Sequence, residues 1–86
     1  MSETEIKKLV AEGKAIIGTD ETLKGLRKGA IAKVYVSANT PEMVKEDIER
    51  YAKLSGAQVV HLELSNDQLG DVCKKNFPIS ILSVKK

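Results

Sequence analysis

Three short stretches of this 86-residue chain hold the side chains best placed to do chemistry. The first, "GTDETLKG" (18–25), puts Gly18 and Thr19 ahead of two acids, Asp20 and Glu21, and then Lys24; Lys28 follows one turn later. The second, "ANT" (38–40), carries the amide Asn39. The third, "NFPI" (76–79), joins Asn76 to Phe77, Pro78 and Ile79, and Phe77 is the one Phe of the chain. A glycine turn that opens a helix presents backbone N–H groups and a positive dipole end, the usual seat for phosphate. Asp20 and Glu21 would repel a phosphate there, which leaves two roles for them. Either they complement the helix dipole, an effect of roughly 0.3–1 kcal/mol each, or they accept the N1–H and exocyclic amine of an unpaired guanine while nearby lysines hold the backbone. Amides, carboxylates, one loop aromatic and bare backbone together suit a folded RNA with extruded bases.

Other chemistries find less support. Nucleophilic or acid–base catalysis needs a nucleophile with its base, or a carboxylate pair in a pocket. The single His, His61, falls inside a strand-like run, and the single Cys, Cys73, on the apolar face of a helix-like one. Both read as structural, the thiol as buried and inert. One His and one Cys exclude a zinc-type cluster and an internal disulfide. "GTDETLKG" lacks the glycines and Lys-Ser/Thr pair of a Walker loop and is no dinucleotide fingerprint. No enzyme, metal or cofactor is therefore expected.

The elements that must position these stretches alternate along the chain, which reads as one domain over residues 1–86. Ile6, Leu9, Val10 and Gly13 repeat at helical spacing, with Ser2 and Glu5 spaced as a capping box. "KAII" (14–17) is a short strand ending at Gly18, and a helix over 20–28 buries Leu23 and Leu26 before Gly29 stops it. "IAKVYVS" (31–37) is a buried strand. Thr40-Pro41 reads as N-cap and first turn of a helix to Ser55, with Glu46–Arg50 and Glu49–Lys53 at i,i+4 on its outer face. "AQVVHLEL" (57–64) is the next strand. Ser65 and Gln68 form a second capping box, for a helix that buries Leu69, Val72 and Cys73, and "ISILSV" (79–84) is the last strand. Strands joined by crossover helices predict an α/β fold, a three-layer α/β/α sandwich on a four-stranded mixed sheet. In such a sheet the ends of strands one, two and four gather at the start of the second helix, bringing the three stretches together.

Charge supports the same end. The chain is only +2 overall. Residues 14–33 and 74–86, however, hold nine Lys/Arg against two acids, net +7, and the remainder is net −5. If the two basic segments meet, they make a positive end suited to a polyanion; if not, they are ordinary solvated lysines. "MSETEIKKLV" has acids in its first turn and no apolar core, so no secretory signal is expected, and no run approaches the ~20 residues of a membrane span.

At these residues the chain resembles the ribosomal protein L-thirty-e family, within the wider L-seven-A-e superfamily of kink-turn RNA-binding proteins. The likeness is strongest in "SANTPEMVKEDIERYAKLSGAQV" (37–59) and extends through "IIGTDETLKGLRKG" (16–29), Leu69-Gly70 and "FPISILSV" (77–84). It implies a structural protein of the large ribosomal subunit that recognises a kinked helix–internal loop–helix RNA, in the cytoplasm, with other ribosomal proteins as neighbours and no DNA or membrane partner. On the family pattern Gly18 brings backbone to the RNA, Asn39 contacts a loop nucleotide, Phe77 packs on an extruded or stacked base with Ile79 beside it, Glu21 reads a guanine, and Lys24 is a helix-two lysine. Asp20 departs from the pattern, which has a base or an asparagine there, and Pro78 stands where ribosomal members are often basic. The chain also ends without the tail several ribosomal members carry. Alternative readings are a kink-turn binder outside the ribosome and a protein-interaction module on the same fold.

Overall fold

The computed structural model describes residues 2–85, with side chains from 4 to 85. The elements run α1 (Ser2–Ala11), β1 (Ala15–Ile17), α2 (Thr19–Arg27), β2 (Ile31–Val36), α3 (Glu42–Ser55), β3 (Gln58–His61), α4 (Asn66–Val72) and β4 (Ile81–Lys85). They build one mixed sheet in the order β1-β4-β2-β3. β2 lies parallel to β3, and the crossover that a parallel pair requires is α3. β4 runs antiparallel to both β1 and β2. The expected four-stranded α/β sandwich is therefore the observed one.

Side-chain alternation along the strands sorts the core into two halves. On one face Tyr35 and Leu82 pack with Ile6 of α1 and with Leu69, Val72 and Cys73 of α4. On the other, Val34, Val36 and Ile81 pack with Leu26 of α2 and with Ile48 and Ala52 of α3. Leu23, expected inside, is half-buried, and it leans on that second cluster together with the half-buried Val44 and Tyr51. Burial pushes the Cys73 thiol upward in pKa, so it stays protonated and inert.

Several local expectations gave way to longer-range partners. The capping box drawn for Ser2 and Glu5 lies, on its Ser2 side, outside the described side chains. The Glu5 carboxylate accepts from the Tyr35 hydroxyl at 2.5 Å and the Lys33 ammonium at 3.0 Å, tying α1 to the middle of β2. Thr40 does not cap α3. That helix begins after Pro41, without a side-chain cap, because the Thr40 hydroxyl is buried against Ser37 Oγ at 2.7 Å. The two i,i+4 pairs expected on α3 are replaced by Asp47–Arg50 at 3.9 Å and by Glu49 with His61 Nε2 at 2.7 Å. Ser65 and Gln68 do form the reciprocal capping box at the start of α4.

Candidate RNA interface

Topology delivers three loops to one edge of the sheet. β1, β2 and β3 all end there and β4 begins there, so the segment 79–81 becomes their common anchor. Gly18 N–H donates to the Ile81 carbonyl at 3.1 Å. Ser37 N–H donates to the Ser80 carbonyl at 2.9 Å, and the Thr40 hydroxyl reaches the same oxygen at 3.4 Å. Ile79 N–H donates to the Asn66 carbonyl at 3.0 Å. Each loop is thus hydrogen-bonded to the entry of the same strand, which fixes their spacing.

Between the first and third loops lies a cleft of about 530 Å³, lined by Gly18, Thr19, Lys75, Phe77, Pro78 and Ile79 together with the strand backbone beneath. Gly18 sits at φ 116° and ψ 149°, and a Cβ there would meet nothing within 4 Å. Glycine is needed for the backbone angle, and the space above it is open to a ligand. Gly18 offers no side-chain cap to α2, so the first-turn N–H groups of Thr19, Asp20 and Glu21 have no intrahelical acceptor and are free to donate outward. Phe77 is 50% exposed although large and apolar. Its backbone is held by α4: a Cβ on Gly70 would lie 2.3 Å from the Phe77 carbonyl oxygen. Helix and loop approach that closely only because residue 70 is glycine.

The remaining residues distribute around this cleft. Asp20, Glu21 and Lys24 stand exposed on the first turns of α2, beside the cleft rather than in its lining, with Lys24 Nζ 3.8 Å from Glu21 Oε1. Both acids occupy the dipole-favoured first turn. Asn76 lines a neighbouring depression of about 310 Å³ with Asp67, Asp71 and Lys75, one that also reaches Phe77 and Pro78. Lys28 is not brought to this end. It is the C-cap of α2, a helix length or ~14 Å from Gly18, and lines another cleft with Arg27 and Tyr51. Lys14 precedes β1, at the end of that strand away from Gly18, and pairs with Glu12 at 3.4 Å.

Asn39 has a role that its residue type alone does not reveal. Its Oδ1 accepts from Asn66 N–H at 2.9 Å and from Ser37 Oγ at 3.2 Å, and its Nδ2 donates to Asn66 Oδ1 at 2.8 Å. Asn66 Oδ1 in turn accepts from Asp67 N–H at 2.9 Å. The amide therefore clips the second loop to the start of α4. One Nδ2 hydrogen is left for an outside acceptor. Two further members of the site, Asn66 and Lys75, were not singled out by the sequence. Lys75 could have been, since it adjoins Asn76; Asn66 could not, since its partner lies 27 residues away.

Among the described residues no group of three or more His, Cys, Asp or Glu is arranged to hold a metal ion. No helix there is long and apolar enough to cross a membrane. Residues 2–86 match the model of the ribosomal protein L7Ae/L30e/S12e/Gadd45 family. This chain belongs to that family. Within it, the chain is 37% identical to large ribosomal subunit protein eL30 of Trypanosoma brucei brucei, covering 94% of this chain and 77% of the relative. It is 36% identical to the eL30 of Methanosphaera stadtmanae, covering 98% and 86%. The eL30 of Pyrobaculum calidifontis is 40% identical over 93% and 79%. Among solved structures, the Giardia lamblia 15.5kD RNA binding protein shares the fold, with a TM-score of 0.79, 20% identity and coverage of 94% of this chain and 68% of that one. The family resemblance read from "SANTPEMVKEDIERYAKLSGAQV" is therefore the right one.

Proposed function

We propose that this chain is a non-catalytic RNA-binding protein of the large ribosomal subunit, working in the cytoplasm, that captures a kinked helix–internal loop–helix RNA on the end formed by its three loops. The observation that carries the reading is the anchoring of all three loops on residues 79–81, with half-exposed Phe77 facing the open space at Gly18 across one cleft. The eL30 relatives supply the ribosomal context.

The mechanism is capture of a bent form. An extruded base stacks on Phe77 with Ile79 beside it, while backbone approaches Gly18, where no side chain intervenes. The outward N–H groups of Thr19–Glu21 meet acceptor oxygens. Asp20 or Glu21 takes the donor edge of an unpaired guanine; Lys24 and Lys75 neutralise phosphates crowded by the bend. These contacts offset the cost of holding the duplex kinked. Asn39 and Asn66 keep the second loop in place and offer the spare amide hydrogen. Other ribosomal proteins would be neighbours rather than ligands of this end.

The test is a titration of labelled kink-turn RNA against the same RNA with its tandem sheared G·A pairs disrupted, at two salt concentrations. The reading expects tight binding that collapses when the G·A pairs are lost. Weak and equal binding to both would overturn it and favour a protein-interaction role.

A further inference from the structure

Away from the loop end, α1 and α4 leave between them a cleft of about 610 Å³. Its floor is apolar, formed by Val10, Ala11 and Val72, and its rims carry four exposed lysines: Lys7 and Lys8 on α1, Lys74 and Lys75 just after α4. No acid lines it. Among the described residues none of the four lysines is in an ion pair, whereas Lys14, Lys24, Lys33 and Arg50 are. Four like charges around one cleft, without an acid among them, leave a local positive potential that favours an anionic occupant.

What distinguishes this patch from scattered surface lysines is where it leads. Lys75 lines both this cleft and the cleft between Gly18 and Phe77. Lys75 therefore stands between the two, and with Lys7, Lys8 and Lys74 it sets positive charge along the α1–α4 side next to the loop end. On the opposite side of the sheet the helices carry paired acids and bases instead, as at Glu21–Lys24 and Asp47–Arg50.

We propose that the α1–α4 cleft seats the phosphodiester backbone of one duplex arm of the RNA as it leaves the kinked loop. The inference rests on the function proposed above and names what it lacks, the path of the flanking helix. Lys7 and Lys8 on one rim and Lys74 on the other contact successive phosphates, with Lys75 at the junction between base reading and arm holding. Contacts of this kind add affinity without sequence preference and steepen the salt dependence.

The experiment compares the full chain with the triple variant Lys7→Gln/Lys8→Gln/Lys74→Gln on kink-turn RNAs whose arms are both short, or with one arm or the other lengthened by a helical turn. Lys75 is left intact because it borders the loop site. On one of the long-arm RNAs the triple variant is expected to make the negative slope of log K against log salt shallower by about 2, for three contacts at roughly 0.7–0.9 each. Short-arm binding should be unchanged, which also shows that the variant is folded, and a triple Lys→Arg variant should restore the slope. Equal slopes for variant and parent on every long-arm RNA would overturn the proposal while leaving the loop-end reading intact. A parent chain indifferent to loss of the G·A pairs would overturn both. Binding of an acidic amphipathic helical peptide that the triple variant abolishes, with no effect of arm length, would assign the cleft to a protein and contradict the RNA path.

Discussion

The two ends of the sheet are built on different terms. At the end away from the candidate interface, α1, α2 and α3 are followed by Gly13, Gly29 and Gly56, all with φ between 68° and 76° and all with open space where a Cβ would point. Those glycines serve chain direction alone: each lets a helix end in the left-handed conformation and turn into the next strand. At the loop end the glycines differ from one another. Gly18 holds an unusual backbone angle under open space, and Gly70 gives up its side chain so that Phe77 can approach α4. A network of Ser37, Asn39, Thr40 and Asn66 side chains fixes the rest. One end closes the fold, and the other spends polar groups and a packed glycine on holding an exposed aromatic in place. That asymmetry is what supports the proposal that the loop end meets the RNA.

Four substitutions sharpen or break this contrast, from the largest effect to the smallest. Gly70→Ala forces a methyl against the Phe77 carbonyl, so it should destabilise the chain by about 1–3 kcal/mol and displace Phe77. Denaturant unfolding would show the first effect and RNA titration an added loss of affinity. An unchanged midpoint would remove Gly70 from the account. Phe77→Ala should cost RNA affinity of about 1–3 kcal/mol, the range for losing a base stack. Its melting temperature should hardly move, because the side chain is half exposed.

Asn39→Ala removes three hydrogen bonds within the protein. It should therefore lower stability by about 1–2 kcal/mol and weaken RNA binding in the same variant. A loss of affinity with no loss of stability would make Asn39 a direct RNA contact rather than a clip. At the far end, Gly13→Ala should cost about 1 kcal/mol for the left-handed angle with RNA affinity intact. A loss of affinity there would break the division between the two ends.

The contrast also explains what could be read from the sequence. The order of elements, the Ser65–Gln68 capping box and the buried face of Leu69, Val72 and Cys73 follow from spacing, and the structure holds all of them. So does the gathering of the 18, 38 and 77 loops, because strand order dictates it. Most of the misses come from a side chain claimed by a distant partner. Thr22, fully buried on α2, bonds Ser83 Oγ at 2.9 Å across 61 positions. Glu5, legible only as a capping residue, is taken by Tyr35, and Thr40 by Ser37 and Ser80. Local periodicity carries no record of such pairings. Lys28 is a different case: the expected helix over 20–28 already sets it at the end opposite Gly18, where the structure has it.

The Glu5–Tyr35–Lys33 cluster yields a pH dependence of its own. The Tyr35 hydroxyl first, and the Lys33 ammonium next, hold the Glu5 carboxyl below its ordinary 4.5. A carboxyl lowered on folding contributes stability above that ordinary value, and the contribution disappears as the pH falls through the folded value. Burial, then Glu5, raises the Tyr35 phenol above its ordinary 10, so its contribution is complete below pH 10 and is lost as the pH rises beyond it. Glu5→Gln should flatten the acid limb of a stability–pH curve by a small amount, since Glu5 is half exposed. An unaltered acid limb would mean that the contact does not survive in solution.

The central claim is that the loop end, and not the end marked by Gly13, Gly29 and Gly56, recognises the kinked loop. An RNA with short arms tests it without engaging the α1–α4 cleft. Backbone amide chemical shifts recorded while short-arm kink-turn RNA is added to the labelled chain test it most directly. The account predicts large shifts at Gly18, Thr19, Asn39, Phe77 and Ile79, with Gly13, Gly29 and Gly56 unmoved. Shifts concentrated at those three glycines, or spread evenly over the chain, would contradict it.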